Sequence, residues 1–132
     1  MIVLDTHILV WWVSGDSQIS RKAIQAIENE INGDGDILVS SITAWEVSML
    51  VDKDRLTLTM DVDAWLQTVN DIDCVSFVAV DNKVAVESTR LPGEFHKDPA
   101  DRMIVSLARS MSAPLVTADE KILNYKHVKT IF

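Results

Sequence analysis

Short apolar segments alternate with amphipathic segments along this chain of 132 residues, and that alternation constrains its fold more than any other feature. The apolar segments are runs of Val, Ile and Leu without polar alternation, which is typical of strands covered on both faces in a parallel sheet. We predict five strands, at residues 2–4, 37–39, 75–80, 115–116 and, as an edge strand, 128–131.

The segments between those strands carry apolar side chains at helical spacing. The clearest stripe occupies positions i, i+3, i+4 and i+7 of one helix, and it consists of Ile104, Leu107, Ala108 and Met111. Comparable stripes lie within residues 24–31, 42–50, 65–72 and 84–88. Strands that alternate with helices predict an α/β fold with a largely parallel central sheet. The length suits a single domain that spans residues 1–132.

Charge and composition narrow the possible functions. A formal net charge of −8 disfavours a passive nucleic-acid binder, since affinity for phosphates comes mainly from Lys and Arg. It does not disfavour a nuclease, because an enzyme that holds Mg²⁺ gathers carboxylates around the ion. We expect no signal peptide and no membrane segment, because no apolar run approaches the length that a bilayer requires. Cys74 is the only cysteine, which fits a cytoplasmic protein.

Acidic residues fall where the predicted strands end. Asp5 follows the first strand, Asp119 lies shortly after the fourth, and Glu46 is on the helix that follows the second. Asp101 lies at the start of the helix that precedes the fourth strand. In open parallel sheets, ligands bind beyond the carboxyl ends of the strands. Strand polarity therefore predicts that these acids lie near one edge of the sheet.

Each acid taken singly also has a purely structural explanation. Asp5 and Asp119 suit the N-cap of a following helix, and Thr43-x-x-Glu46 has the form of a capping box. Asp81 follows a strand as well, and we expect it only to cap the next helix. The functional hypothesis therefore depends on the group of acids and not on any one of them.

The helix that carries Asp101 shows why a metal ion is the alternative to capping. Asp98 suits its N-cap and Pro99 its first position, which places Asp101 in the first turn, where an acid favours the helix dipole. At ~100° per residue, however, Asp101 points toward the apolar stripe of its helix, and Glu46 shares the apolar face of its own. Inward carboxylates are costly unless they are paired or bind a cation.

Four short motifs, in order along nearly the whole chain, resemble those of the PIN-domain ribonucleases, and in particular the VapC-type toxins of toxin–antitoxin pairs. They are Leu4-Asp5-Thr6-His7, Ser40 to Glu46, His96 to Ile104, and Leu115 to Asp119. No single motif is specific, but four in this order are much more so. The resemblance implies a PIN-like three-layer α/β/α fold with a central parallel sheet.

The resemblance also implies an endoribonuclease that hydrolyses RNA phosphodiesters with Mg²⁺ or Mn²⁺. Its catalytic and metal-binding acids would be Asp5, Glu46, Asp101 and Asp119, with Asp5 and Asp101 as the most direct ligands. Supporting roles would belong to Thr6, Asp98 and Thr117. Basic residues beside the motifs either bind RNA phosphates or are ordinary surface charges, and these are Lys97, Arg102 and Lys121.

A toxin of this type would have a cognate antitoxin as a partner and would form a homodimer or a larger assembly. We expect the tryptophans in the core or in interfaces and not as base-stacking platforms, and they are Trp11, Trp12, Trp45 and Trp65. Two alternatives stay open. One is a catalytically silent PIN-like binding module, and the other is a Mg²⁺-dependent phosphoacceptor or phosphatase domain.

Overall fold

The computed structural model describes all 132 residues and contains five strands and seven helices in α/β order. In chain order they are β1 (Ile2–Leu4), α1 (Thr6–Ser14), α2 (Arg21–Asn32), β2 (Ile37–Ser40), α3 (Ser41–Asp52), α4 (Val62–Asn70), β3 (Val75–Val78), α5 (Asn82–Ser88), α6 (Pro99–Ser110), β4 (Leu115–Val116), α7 (Glu120–Leu123) and β5 (Thr130–Ile131). The predicted α/β fold is confirmed. Two strands are shorter than predicted, because β3 ends at Val78 and β5 begins only at Thr130.

All five strands are parallel, and their order in the sheet is β3-β2-β1-β4-β5. β1 is therefore central, and its last residue, Leu4, pairs with Val39 of β2 and Val116 of β4. β2 and β3, which follow β1 in the chain, lie on one side of it, and β4 and β5 lie on the other. The strand order thus reverses between β1 and β4, which makes their junction a topological switch point. Asp5 lies at this point, immediately beyond the carboxyl end of β1.

Helices cover both faces of the sheet, so the fold has the expected three layers. On one face, Leu4 belongs to a buried cluster with Ile27 of α2 and Val69 of α4. On the other face, Val3 belongs to a second cluster with Ile104 of α6. Alternate β1 side chains thus enter different cores, and this explains why the central strand is apolar at every position. No helix has the length and apolar character that crossing a membrane requires.

Side-chain caps fix where the helices begin. Asp81 caps α5 by accepting a 2.9 Å hydrogen bond from the backbone N–H of Val84, as predicted. The capping box predicted at Thr43 is wrong, since α3 begins at Ser41 and is capped by Ser40. Glu46 therefore lies within the helix, where its carboxylate is available for contacts with other elements.

Candidate active site

Asp5 combines a capping role with a buried position at the edge of the sheet. Its Oδ1 accepts the backbone N–H of Thr6 at 2.8 Å, which caps α1. Its Oδ2 accepts the hydroxyl of Thr117 at 2.7 Å. The residue is only 5% exposed. Capping thus uses Oδ1 of Asp5, whereas Oδ2 contacts Thr117, beyond the end of β4.

Glu46 of α3 is joined to the start of α1 through two threonines. Its Oε1 accepts the hydroxyl of Thr6 at 2.7 Å, and the hydroxyl oxygens of Thr6 and Thr43 are 2.9 Å apart. The single hydroxyl proton of Thr6 goes to Glu46, so Thr43 is the donor in the second bond. This relay holds the Glu46 carboxylate toward Asp5. Thr43 is a residue that sequence reasoning missed, because its pattern suggested a cap.

Asp101 enters the same region from the first turn of α6. Its backbone N–H donates to Oδ1 of the N-cap, Asp98, at 3.0 Å, as the sequence predicted. Its Oδ2 lies 2.9 Å from Nε2 of His96, and both side chains are largely buried. That contact lacks hydrogen-bond geometry, and the His96 nitrogen has no other partner. His96 is a second neighbour that the sequence did not single out.

Asp119 follows β4 and is connected to Asp5 through Thr117. Its backbone N–H donates to the Thr117 hydroxyl at 3.1 Å, and the same hydroxyl donates to Asp5. Its Oδ1 accepts the N–H groups of Lys121 and Ile122, which caps α7. As in Asp5, only one carboxylate oxygen of Asp119, Oδ1, takes part in the cap.

The carboxylates are close enough to perturb one another. Burial, followed by the negative charges of Asp5, Asp98, Asp119 and Glu46, raises the pKa of Asp101 from 3.8 to about 8. Burial also raises the pKa of Asp5 and of Glu46; Asp119 adds to the shift of Asp5, and the Asp5 charge adds to that of Glu46. No Lys or Arg forms an ion pair with any of these acids. The four predicted acids thus lie together, and the one basic side chain in contact with them is His96, at Asp101.

The three basic residues predicted beside the motifs differ in their placement. Arg102 is half-buried, and its guanidinium donates to the carbonyl oxygens of Ser88, Phe95 and His96 at 2.8, 3.0 and 3.1 Å. It holds the segment before α6 in place, which corrects the prediction of a role on RNA phosphates. Lys97 and Lys121 have exposed side chains without an ion pair, so their predicted role remains open.

The residues of the cluster fit a hard divalent cation that has few protein ligands. No three His, Cys, Asp or Glu side chains are arranged to hold a metal ion by themselves. Mg²⁺, however, usually binds through one or two carboxylates and fills its remaining positions with water and substrate phosphate. An all-oxygen donor set in which burial, and then the charges of neighbouring acids, raise the pKa values of Asp5, Glu46 and Asp101 suits such an ion.

Comparisons with known proteins give one consistent result. A family model described as PIN domain matches residues 2–128. Ribonuclease VapC22 of Mycobacterium tuberculosis is 31% identical over 130 residues, which cover 98% of this chain and 95% of that protein.

Several solved structures have the same fold at lower identity. VapBC2 from Rickettsia felis, bound to a DNA fragment from its promoter, gives a TM-score of 0.71 at 20% identity and covers 98% of this chain and 97% of that one. FitAcB from Neisseria gonorrhoeae gives 0.67 at 18% identity, with 98% and 96% covered. A toxin–antitoxin complex from Klebsiella pneumoniae gives 0.65 at 19%, with 97% and 95% covered. At these identities the likeness concerns the fold alone.

Proposed function

The chain belongs to the PIN-domain family, and from this premise we propose that it is a divalent-metal-dependent endoribonuclease and the toxin of a toxin–antitoxin pair. The observation that carries the proposal is the cluster of Asp5, Glu46, Asp101 and Asp119. Four separate segments bring these carboxylates to the switch point of the sheet, although burial and repulsion oppose it. Such a costly arrangement is typical of a site with a function.

The acids would divide the work of the reaction. Asp5 and Asp101 would be the direct ligands of Mg²⁺ or Mn²⁺, and an ion held there supplies Lewis acidity and an activated water. Glu46 and Asp119 would complete the site and accept the proton of the attacking water. Burial raises the pKa of Glu46, which suits that task, since a general base works best with a pKa near the working pH.

The threonines and the free lysines would orient the reacting groups. Thr117 holds Oδ2 of Asp5, and Thr6 holds Oε1 of Glu46, so that both carboxylates keep a fixed direction. Asp98 positions the first turn of α6 through the N–H of Asp101. Lys97 and Lys121 would hold the phosphates of the RNA at the rim of the site.

The similar proteins suggest the partners. The relative from M. tuberculosis is named a ribonuclease, and the similar structures include toxin–antitoxin complexes. We therefore propose RNA as the substrate, a cognate antitoxin as an inhibitory partner, and a homodimer or larger assembly in the cytoplasm. A phosphoacceptor role finds no support. Its acceptor would be Asp81, which caps α5 beyond the edge strand β3, with β2 between that strand and β1.

Cleavage of total RNA tests the proposed activity. We expect the parent protein to cut RNA with added Mg²⁺ or Mn²⁺ and to stop when EDTA is present. Asp5→Asn and Asp101→Asn should each lower the rate by at least ~100-fold. Asp81→Asn is the matched control, since it also changes a strand-end acid but lies outside the cluster. If RNA cleavage continues in EDTA and in both Asn variants, the proposal is wrong.

The toxin role needs a separate measurement. Expression of the parent should arrest growth, and co-expression of a small neighbouring gene should relieve the arrest. Asp101→Asn should not arrest growth at an equal protein level. Growth arrest by the inactive variant would show that toxicity, if present, does not come from cleavage.

A further inference from the structure

Trp45 is unusually exposed for its size and position. It immediately precedes Glu46 on α3, and 56% of its surface is accessible, the largest fraction among the exposed large hydrophobic residues. Placement in the core, one of the two sites expected for it, is therefore wrong. An indole left in water beside a group of carboxylates is a feature that a binding partner could explain.

Trp45 forms one wall of a groove between α3 and the start of α6, which we name the α3–α6 groove. The groove has a volume of about 420 Å³. Apolar walls are provided by Ile42, Met49 and Pro99 together with Trp45, and the acidic end by Glu46 and Asp98. It is thus continuous with the candidate active site, since Glu46 belongs to both.

We propose that a nucleobase of the RNA substrate, next to the phosphate that is cut, stacks on Trp45 in the α3–α6 groove. The inference rests on the proposed ribonuclease function and adds a substrate-positioning residue to it. Proteins that bind single-stranded nucleic acid commonly stack bases on aromatic side chains, and every base offers a flat apolar face for this. A groove with an indole wall beside the cutting site provides such a surface.

The charges in the groove select a base over the other parts of the substrate. Glu46 and Asp98 would repel a phosphate there, whereas a base is neutral and its amino groups can donate to a carboxylate. The net charge of −8 and the engagement of Arg102 with backbone carbonyls also limit the electrostatic attraction of phosphates to this chain. Stacking can supply affinity that the charges of this protein do not supply.

A second copy of the chain is a poorer occupant. The other exposed large hydrophobic residues do not line the groove, and they are Met1, Met60, Val86, Met111 and Phe132. A stable dimer interface buries about 800 Å² per partner, and no other exposed large hydrophobic residue extends this groove toward that size.

The test combines three variants with two probes. Trp45→Ala removes the ring, Trp45→Phe keeps a stacking surface, and Val86→Ala removes an exposed hydrophobic side chain that does not line the groove. The probes are a short random-sequence RNA and an abasic ribose-phosphate oligomer of equal length. Steady-state kinetics give kcat and KM for each protein with each probe. Fluorescence anisotropy of labelled probes gives the dissociation constants in the same buffer with Mg²⁺.

We expect Trp45→Ala to weaken binding and kcat/KM for RNA by about 5- to 150-fold, which corresponds to the loss of one stacked base. The loss should lie mainly in KM, and the abasic oligomer should be handled equally by the parent and by Trp45→Ala. Trp45→Phe should recover most of the loss, and Val86→Ala should resemble the parent on both probes.

Other outcomes overturn the inference. RNA binding that is unchanged in Trp45→Ala, or an equal loss on both probes, would show that Trp45 does not hold a base. A change in oligomeric state by sedimentation, with unchanged RNA binding, would assign the groove to a second copy. If the parent cuts neither probe, the proposed function fails, while RNA binding that depends on Trp45 still supports the groove as a base site.

Discussion

The hydroxyl of Thr117 donates a 2.7 Å hydrogen bond to Oδ2 of Asp5, a residue 112 positions earlier in the chain. Thr117 is fully buried, and its hydroxyl oxygen also accepts the backbone N–H of Asp119. The Thr117 side chain, at the end of β4, therefore fixes both the Asp5 carboxylate at the end of β1 and the backbone at Asp119. The central strand β1 and its neighbour β4 are joined at their carboxyl ends through this contact.

We expect Thr117→Val to impair both stability and catalysis. The change leaves a buried carboxylate oxygen and a backbone N–H without a partner, which should cost about 1–3 kcal/mol of unfolding free energy. The Thr117 bond lowers the pKa of Asp5, so its loss should raise that pKa and move the acidic limb of the pH–rate profile to higher pH. Urea unfolding and RNA cleavage across pH measure the two effects.

Thr117→Ser is the matched control, because it keeps the hydroxyl and removes only a methyl group. It should retain the position of the acidic limb. A Val variant with a parental pH profile would show that Thr117 does not tune Asp5.

The metal-free protein should lose stability as pH rises. Asp101 has a pKa of about 8 in the folded chain against an ordinary value of 3.8, so the folded state binds its proton more tightly. That stabilisation is complete below about pH 4 and is lost as pH rises through about 8. Thermal unfolding in EDTA at a series of pH values should show Tm falling across this window.

Asp101→Asn should weaken that dependence, because it removes the acid with the pKa of about 8 and leaves only the raised pKa values of Asp5 and Glu46. At pH 8 without metal, the variant should exceed the parent by about 1 kcal/mol, after allowance for solvent screening. That gain corresponds to roughly 3–6 °C in Tm for a chain of this length. Curves for parent and variant that run parallel from pH 4 to 9 would contradict the shift assigned to Asp101.

Strand polarity and helical spacing predicted acids near one edge of the sheet, and the family resemblance identified four of them as a group. Asp5 and Asp119 follow directly from the ends of β1 and β4, and the inward side of α6 indicates Asp101. The lengths of the edge strands depend instead on their partners. β5 has two paired residues because β4 offers only two, Leu115 and Val116. Beyond β3, the N–H of Val80 bonds to the Ser41 hydroxyl and not to a strand.

Contacts between distant segments account for what the sequence did not reveal. Thr43 fits a capping box locally, and only its 2.9 Å approach to Thr6 shows that it belongs to the site. Arg102 stands beside an acidic motif, yet its carbonyl partners lie as far back as Ser88. The exposure of Trp45 depends on which elements pack against α3. No local pattern in the sequence contains these pairings.

We expect Arg102→Met to destabilise the protein more than its partial exposure suggests. The guanidinium bonds to the carbonyls of Ser88, Phe95 and His96, and a charged donor to a carbonyl contributes about 1.5–3 kcal/mol. A loss of about 2–4 kcal/mol in urea unfolding is therefore expected. Arg102→Lys should recover little, because an ammonium lacks the planar fork. Lys97→Met, an exposed neighbour without an ion pair, should change stability by less than ~0.5 kcal/mol.

Thr6→Val should lower the activity through Glu46. Thr6 is 1% exposed, and its hydroxyl gives its proton to Oε1 of Glu46 while it accepts from Thr43. This bond lowers the pKa of Glu46, so Thr6→Val should raise that pKa, free the carboxylate to rotate, and reduce kcat by about 10- to 100-fold. Thr6→Ser should keep most of the activity.

A double variant tests whether Thr6 acts through Glu46. Thr6→Val and Glu46→Gln affect the same carboxylate, so Thr6→Val should have little further effect in a Glu46→Gln background. If the two losses multiply in the double variant, Thr6 acts on some other part of the site.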